Sequence, residues 1–160
     1  MSTGAIIFII AATFVLMEFV AWATHKYVMH GFLWNLHSDH HRKDHYNVLE
    51  RNDTFFLIFA IPSMLFFILG SLKGLHTPWL WIGLGILLYG IAYFLVHEVF
   101  IHQRIRWFKR TRNPYLLAIR KAHKVHHKHL QKEHGECFGM LIVPLKYYRE
   151  AKRAISQQGS

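Results

Sequence analysis

The amino-acid sequence predicts an all-α integral membrane protein with about three transmembrane helices and a cytoplasmic or interfacial helical cap. Three apolar runs support this fold class, at residues 4–24, 54–72 and 79–101. Each run has about the 20 residues that a helix needs to cross the hydrocarbon layer. Histidines and cations crowd into the segments that follow the first and third runs. We expect one domain over residues 1–160, because this length suits a single domain.

The composition narrows the class of partner. The chain is 52% hydrophobic with a mean hydropathy of +0.15, which is high for a soluble protein. Its 19 Lys and Arg against 9 Asp and Glu suit a nucleic acid, an anionic membrane surface or an acidic partner protein. The hydropathy favours the last two, so we expect membrane lipid and no nucleic acid as a partner. The single cysteine, Cys137, excludes an intrachain disulfide and a thiolate metal cage, and we expect it to be a small packed residue.

The first apolar run, residues 4–24, is predicted to be the first transmembrane helix. A cleaved signal peptide is disfavoured, because no basic region precedes the run and it leads directly into histidines. Glu18 is the exception within it, and a carboxyl at this depth is costly unless it faces protein. It lies seven residues before His25 and so shares its helical face. We expect Glu18 either to support a site at His25 or to be a neutral hydrogen-bonding group between helices.

The second and third runs, 54–72 and 79–101, are predicted to form an antiparallel helical hairpin. The linker 73–78 is short and contains Gly and Pro, which is typical of a tight turn. Gly83 and Gly90 lie seven residues apart on one face of the third helix. We expect both to allow close approach of a neighbouring helix.

The remaining segments are polar. Residues 25–53 and 102–150 are predicted to be cytoplasmic or interfacial, since cations are interleaved with apolar residues after the third run. The apolar piece 137–148 is too short to cross a membrane and is expected to cap the helical cluster. Residues 151–160 are expected to be a solvated tail.

Charge predicts the topology. Of the 19 Lys and Arg, all except Lys73 lie beyond the first run, before the second or beyond the third. The positive-inside rule then puts these ends in the cytoplasm and the N-terminus outside.

The histidines follow a repeated spacing. Ten of the fourteen, here called the box histidines, form two pairs with four intervening residues and two triplets with two intervening residues before an adjacent pair: His25 and His30, His97 and His102, His37, His40 and His41, and His123, His126 and His127. Each triplet lies on one helical face and could ligate one metal together. Each pair needs either a distorted helix end or two different metals. Ten imidazoles divide into five for each of two metals, leaving an open position on each octahedral ion and hence reactivity.

The type of ligand does not identify the metal. Imidazoles suit Fe, Zn, Ni or Cu. The four other histidines lack the spacing and are expected at the interface: His45, His76, His129 and His134.

The boxes HKYVMH, HSDHH, HEVFIHQR and HKVHH resemble those of the bacterial β-carotene 3-hydroxylases, within the membrane fatty acid hydroxylase and desaturase superfamily. The resemblance covers residues 17–144. It is sharpened by Gly31 and Trp34 between the first two boxes and by the HQR sequence that ends at Arg104. Glu98 is a departure, since Asp is expected beside the box histidine.

This resemblance implies an O₂-dependent, non-heme di-iron membrane monooxygenase. The implied reaction adds a hydroxyl at C3 of β-ionone rings and converts β-carotene through β-cryptoxanthin to zeaxanthin. Two Fe ions would be held by the box histidines, with Zn a substitute in purified protein. The implied substrate is a carotenoid from the bilayer, and the implied electron donor is a reduced ferredoxin-like protein on the basic cytoplasmic face. The implied location is the bacterial inner membrane, with the active site on its cytoplasmic side.

Two carboxylates beside the boxes, Asp39 and Glu98, are candidates to accept a hydrogen bond from a ligand imidazole. Solvation, or contact with Arg104, is the alternative for both. An apolar substrate could enter sideways among aromatic side chains, and the candidate walls of its pocket are Phe94, Phe100, Trp22 and Trp34. Simple helix packing is the alternative for these four side chains, and helical spacing favours it.

Two other functions remain open. Within enzymes, the alternative is a fatty acid or sterol hydroxylase or desaturase. Outside enzymes, a membrane metal-binding or metal-transport protein would also be rich in histidine. Such a protein needs ligands along a path at the bilayer midplane, whereas these histidines crowd at one end of the helices.

Overall fold

The computed structural model describes residues 1–42, 49–105, 107 and 110–158, and every regular element in those ranges is helical. The predicted all-α fold class is confirmed. The helices are α1 (Thr3–Ala23), α2 (Trp34–His41), α3 (Phe56–Lys73), α4 (Trp79–Phe94), α5 (Pro114–His126) and α6 (Leu145–Gln158).

Three of these helices are extended by other helical turns. A π-helical segment, Thr24–Phe32, continues α1, and a second, Leu95–Ile101, continues α4, while a 3₁₀ turn, Arg51–Phe55, leads into α3. The combined helices Thr3–Phe32, Arg51–Lys73 and Trp79–Ile101 are each long and apolar enough to cross a membrane. They identify a membrane protein with the predicted number of spans. The helix that contains the first predicted span continues beyond residue 24, through two box histidines, to residue 32.

Helix α4 packs against both α1 and α3, and glycines permit the closest contacts. A Cβ on Gly83 would lie 3.1 Å from the Ser63 carbonyl oxygen on α3, and one on Gly85 would lie 2.6 Å from Thr13 Cβ on α1. The predicted packing role of Gly83 is therefore confirmed. The same prediction for Gly90 is wrong, because a Cβ there would meet nothing within 4 Å. Gly90 instead faces a cavity between the helices.

The two C-terminal pieces cover the histidine end of the bundle. Within 137–144, Met140 is buried against residues that follow α4 and lie on α5, as expected of a cap. Helix α6 buries Tyr147 and Ala151 against Ala118 and Ala122 of α5. The predicted solvated tail at 151–160 is wrong for Ala151, which is buried, whereas residues 152–157 of this helix are exposed or half-buried. Small side chains four residues apart let α6 approach α5, and the cations around them hide this apolar face in the sequence.

Candidate metal centre

The box histidines converge into two adjacent clusters. In each cluster, one possible ligand atom per residue lies within 4.8 Å of all the others. The first cluster is His25, His30, His37, His41 and His126, and the second is His40, His97, His102 and His123. His127 adjoins the second cluster, with its ring centre 4.5 Å from that of His123 and 4.8 Å from that of His102. The structure thus brings together side chains from elements about a hundred residues apart.

The π-helical segments explain the pairs. In an ideal α-helix, residues five apart are separated by about 140° around the axis. A π-helix has hydrogen bonds between residues five apart and brings them onto one face. His102 N donates such a bond to the His97 carbonyl oxygen at 2.9 Å. Each pair therefore serves one cluster, which supports the distorted-helix interpretation over the one with two different metals.

Each triplet is divided between the clusters, so the prediction that a triplet ligates together is wrong. His37 and His41 join the first cluster while His40 joins the second. The reason is angular: at about 100° per residue, i+4 lies about 40° to one side of i, whereas i+3 lies about 60° to the other. The same rule holds on α5, where His126 points to the first cluster and His123 to the second.

Backbone carbonyl groups orient four of the box histidines. In each case Nδ1 lies against an oxygen that only accepts, so Nδ1 carries the proton and Nε2 is left with its lone pair. Three of these carbonyls lie in the 129–136 loop and the fourth is just beyond it. The contacts are His25 to Phe138 at 3.0 Å, His30 to Lys132 at 3.1 Å, His41 to His129 at 2.9 Å and His126 to Glu136 at 2.8 Å.

Side chains orient three more. His37 Nδ1 contacts Asn52 Oδ1, His40 Nδ1 contacts Glu50 Oε2 and His97 Nδ1 contacts Glu98 Oε1, each at 2.6 Å. Such partners hold a ligand ring in one orientation and one tautomer.

The ring nitrogens that face inward lie close together without a proton between them. The Nε2 atoms of His25 and His37 are 3.1 Å apart, as are those of His37 and His41, and those of His40 and His97 are 3.2 Å apart. Two ligand nitrogens about 2.1 Å from one ion and at a right angle are about 3.0 Å apart. Converging lone pairs at this spacing repel one another unless a cation lies between them. The residues therefore fit two divalent metal ions bound by imidazole.

His127 adds a further observation. Its Nε2 is buried, and no hydrogen-bond partner for it lies in the part of the chain that the structure describes. A buried ring nitrogen that faces a metal cluster without a partner suits a metal ligand.

Burial prepares these rings for binding. It lowers the pKa of His37 to about 2 and, with the neighbouring imidazoles, the pKa of His41 to about 4 and that of His126 to about 3. The pKa values of His40 and His123 are also lowered, chiefly by burial. Neutral imidazole is the form that ligates a metal.

Arg104 connects the carboxylates around the second cluster. Its guanidinium lies 2.8 Å from Glu98 Oε2, 2.8 Å from Glu50 Oε2 and 2.9 Å from Asp53 Oδ1. Glu98 therefore contacts both an imidazole and Arg104, so the two alternatives considered for it hold at once. The longer Glu side chain at position 98 still reaches the ring of its neighbour.

Asp39 contacts the backbone of the 3₁₀ turn. Its Oδ2 accepts a hydrogen bond from Arg51 N at 2.7 Å, which ties α2 to the 3₁₀ turn. Glu50 holds the imidazole of His40, and Asn52 holds that of His37. The sequence pattern pointed to neither residue. Both residues lie in the polar stretch before α3, where no spacing marks them. The backbone carbonyls were missed because they have no side-chain signature.

Glu18 supports the site at one remove. Its Oε1 accepts hydrogen bonds from the backbone N–H groups of Met140, Leu141 and Ile142 at 2.8–2.9 Å, and its Oε2 accepts one from Tyr89 Oη at 2.8 Å. The segment that it holds begins two residues after Phe138, whose carbonyl orients His25. This arrangement favours the supporting role over a bridge between helices alone.

The family of the chain follows from its similarity to known proteins. The sequence model of the fatty acid hydroxylase family matches residues 10–143. The chain belongs to the fatty acid hydroxylase family. It is 36% identical over 137 residues to a beta-carotene hydroxylase of a Paracoccus species, covering 85% of this chain and 83% of the relative. It is 39% identical over 136 residues to a beta-carotene hydroxylase of Pantoea ananas, covering 85% and 76%.

One plant relative is a much longer protein, of which the alignment covers less than half. The chain is 37% identical over 130 residues to beta-carotene 3-hydroxylase 2, chloroplastic, of Arabidopsis thaliana, covering 80% of this chain and 42% of the relative. No solved structure matches the chain. Family and relatives together identify an oxidising enzyme of the hydroxylase type.

This hydroxylase has a cavity of about 760 Å³ among α1, α3 and α4. Most of its wall is apolar. One end reaches His25 and Asn52, and polar groups of Asp53, Glu98 and Arg104 also line it. Its volume falls within the range of about 300–1,000 Å³ that is typical of small-molecule sites.

Of the four candidate aromatic side chains, one lines the cavity and the other three pack elsewhere. Phe94 lines the cavity. Phe100 packs instead in the core beneath α5, and Trp22 stacks on Phe19. Trp34 packs against box histidine rings, with its centre 5.0 Å from that of His30. Helical spacing identified aromatic side chains but did not show which face each one occupies.

The other histidines lie outside both clusters where they are described. His76 is in the α3–α4 turn, at the opposite end of the hairpin from the clusters, and His134 is exposed in the loop after α5. His129 contributes its backbone carbonyl to His41. His45 lies outside the described residues.

Proposed function

We propose that this enzyme hydroxylates carotenoid end rings at C3, converting β-carotene through β-cryptoxanthin to zeaxanthin, with two iron ions held by the box histidines. The cavity is the observation that carries this proposal, because its lining runs from His25 of the first cluster to side chains exposed on the outer faces of α3 and α4. Its lining residues Phe56 and Met64 on α3 are 63% and 57% exposed on a face that would contact lipid. The relatives named beta-carotene hydroxylases support the substrate.

The reaction needs O₂ and an electron source. One C–H bond, one O₂, two electrons and two protons yield one C–OH group and one water. Bound iron would supply the activation of O₂. We propose that the electrons come from a reduced ferredoxin-like protein, which would dock on the cationic side of the histidine end. The exposed side chains of Lys124 and Lys128 lie there.

The protein's own groups prepare the site. In seven box histidines, Nδ1 donates a hydrogen bond to an oxygen of another residue, and this bond keeps Nε2 pointing inward. The ligand set is therefore formed before a metal binds. The apolar wall holds the end ring of the substrate and excludes water from it. The extended polyene would remain among the lipid-facing helices. We propose that the site lies at the cytoplasmic side of a bacterial inner membrane; the positive-inside rule supports the side and the bacterial relatives support the membrane.

The test is expression in a bacterial host that accumulates β-carotene. Zeaxanthin and β-cryptoxanthin should appear in the pigment extract, and the His126→Ala variant should leave β-carotene unchanged at equal protein level. Lipid extracts from the same cells should be analysed for hydroxylated or desaturated fatty acids. Hydroxylated fatty acids with unchanged carotene would refute the proposal in favour of the acyl-lipid alternative.

A further inference from the structure

Gly90 differs from the other glycines of the hairpin in what surrounds it. Gly70, Gly83 and Gly85 each lie against a neighbouring segment, since a Cβ on any of them would stand 3.1 Å or less from another residue. A Cβ on Gly90 would meet nothing within 4 Å. Glycine in a helix interior is unfavourable relative to alanine, and helix packing does not explain it here.

The open space beside Gly90 is the cavity. Gly90 lines it together with its neighbour Ile91 and with Ile86, Leu87 and Phe94, which lie about one turn away on α4. Leu87, Ile91 and Phe94 are 42–48% exposed, so this part of the wall lies at the outer, apolar face of α4 that would contact lipid. Along the helix, Gly90 is seven residues before the second-cluster histidine at 97, or about 10 Å at 1.5 Å per residue. A molecule that occupies the cavity between these exposed side chains and His25 would lie beside Gly90.

A carotenoid end ring makes a particular demand on such a passage. The ring of β-carotene carries three methyl groups and is wider than the polyene chain behind it. Side chains that project into the passage therefore hinder the ring more than a linear hydrocarbon end. The two smallest residues of the cavity wall on this hairpin are Ala60 on α3 and Gly90 on α4.

We propose that Gly90 is a specificity-determining residue that keeps the lipid-side passage wide enough for a substituted ring. This inference rests on the proposed function and adds the feature that selects ring-ended substrates. Gly90 touches neither metal cluster, so enlarging it blocks the ring while the histidines still bind metal.

The experiment is a size series at position 90 with two readouts. Gly90→Ala should keep most β-carotene turnover, because the methyl group enters open space. Gly90→Leu should lose roughly 10- to 100-fold in kcat/KM, since about 1 Å of misplacement costs on that order. Gly90→Phe should leave no detectable hydroxylation. Metal content and membrane yield should stay at wild-type levels, because all three residues suit a helix better than glycine does.

The second readout is binding, which does not depend on turnover. Each variant is purified from cells that contain both β-carotene and lycopene, whose ends are open chains, and the retained pigments are measured. Gly90→Phe should retain a markedly lower ratio of β-carotene to lycopene than wild type. Leu88→Phe is the matched control, because Leu88 is exposed on α4 and is not among the residues that line the cavity. It should change neither readout.

The outcomes separate the two proposals. Wild-type turnover in Gly90→Phe, or equal losses of both pigments, would overturn the role of Gly90 while leaving carotenoid hydroxylation intact. Absence of hydroxylated carotenoid from the wild-type protein would refute the proposed function, and the pigment ratio would still test Gly90.

Discussion

At the scale of single residues, the box histidines are set apart from ordinary histidines by what faces each ring nitrogen. Seven hold Nδ1 against an oxygen acceptor within the protein, and their Nε2 atoms point toward one another. Neutral imidazoles arranged in this way gain no hydrogen bond from the second nitrogen. A bound cation satisfies those nitrogens, and this explains why so many imidazoles can be buried in one place.

We expect replacement of any box histidine by alanine to lower the metal content of the purified protein and to abolish or nearly abolish turnover. Removing one ligand opens the metal to water and misplaces the remaining ligands. Elemental analysis should find two metal ions per chain in the active wild-type protein. His76→Ala and His134→Ala are the controls and should keep both metal and activity. Two or more box variants with full metal and normal turnover would show that the ligand assignment is wrong.

The pKa values predict how acid affects the metal-free protein. An unfolded histidine takes up a proton below about pH 6.5. Folded His41, His126 and His37 do so only near pH 4, 3 and 2, because burial lowers the pKa of each. Between pH 6.5 and 4 the unfolded chain therefore binds more protons, so stability falls as the pH is lowered through this window.

The measurement is the thermal midpoint of metal-free protein in detergent at several pH values. The midpoint should be level above pH 7 and should fall between pH 6.5 and 4. A midpoint that is constant across this window would mean that these histidines are not buried as neutral rings.

At the scale of elements, the C-terminal segments carry functions that their sequence conceals. The segment around residues 136–142 supplies carbonyl oxygens to the first cluster and is itself held by Glu18 on α1. A carboxylate within the first span thus connects a membrane helix to the cap.

We expect Glu18→Ala to destabilise the protein more than Tyr89→Phe does. The first change leaves three backbone N–H groups of residues 140–142 without an acceptor, each at a cost of about 1–3 kcal/mol. The second removes one hydrogen bond to the same carboxylate. Thermal unfolding in detergent should rank the two variants, and limited proteolysis should cut the 136–144 segment faster in Glu18→Ala. Equal stability of Glu18→Ala and wild type would contradict the anchoring role.

Helix α6 offers a test with a matched charge change. Ala151 is 7% exposed against α5, whereas Ala154 is exposed on the other side of the same helix. Ala151→Arg should destabilise the protein by a few kcal/mol, because a large charged side chain would enter a packed contact, at a cost typical of overpacking and of burying charge. Ala154→Arg should change the unfolding midpoint little. If both variants behave alike, α6 does not pack on α5 in solution.

At the scale of the whole molecule, three spans deliver both ends of the site to one side of the bundle. Residues as far apart as His25 and Phe138, 113 positions along the chain, meet there. The Gly74 turn lies at the opposite end of the hairpin from the clusters. The cations and the histidine clusters therefore lie at the same end of the bundle, and the Gly74 turn lies at the other.

Reporter fusions test this topology. Fusions after Asp53, Gly74 and Gln103 should report cytoplasm, outside and cytoplasm, because all Lys and Arg except Lys73 flank the histidine end. A fusion at Gly74 that reports cytoplasm would rule out three crossings.

The sequence by itself determined the helical class, the three spans and the identity of the box histidines as a set. Apolar length and the repeated histidine spacing are local properties, and each can be read without knowing what packs against what. The same spacing could not assign His40 and His41 to different clusters, because that division depends on how α2 is rotated relative to the helices around it. It also could not find Glu50, Asn52 or the loop carbonyls that hold the rings.

Only the tertiary structure decided how the cavity, the cap and the metal centre are built. Gly83 and Gly90 lie seven residues apart on the same face of an apolar helix, so the sequence does not distinguish them. In the structure, Gly83 contacts α3 and Gly90 faces open space. The difference arises because α3 and α4 touch at one level and enclose a cavity at another, which is a property of two helices together. For the same reason, the sequence does not show that Ala151 is buried: its partner surface on α5 exists only once both helices have folded.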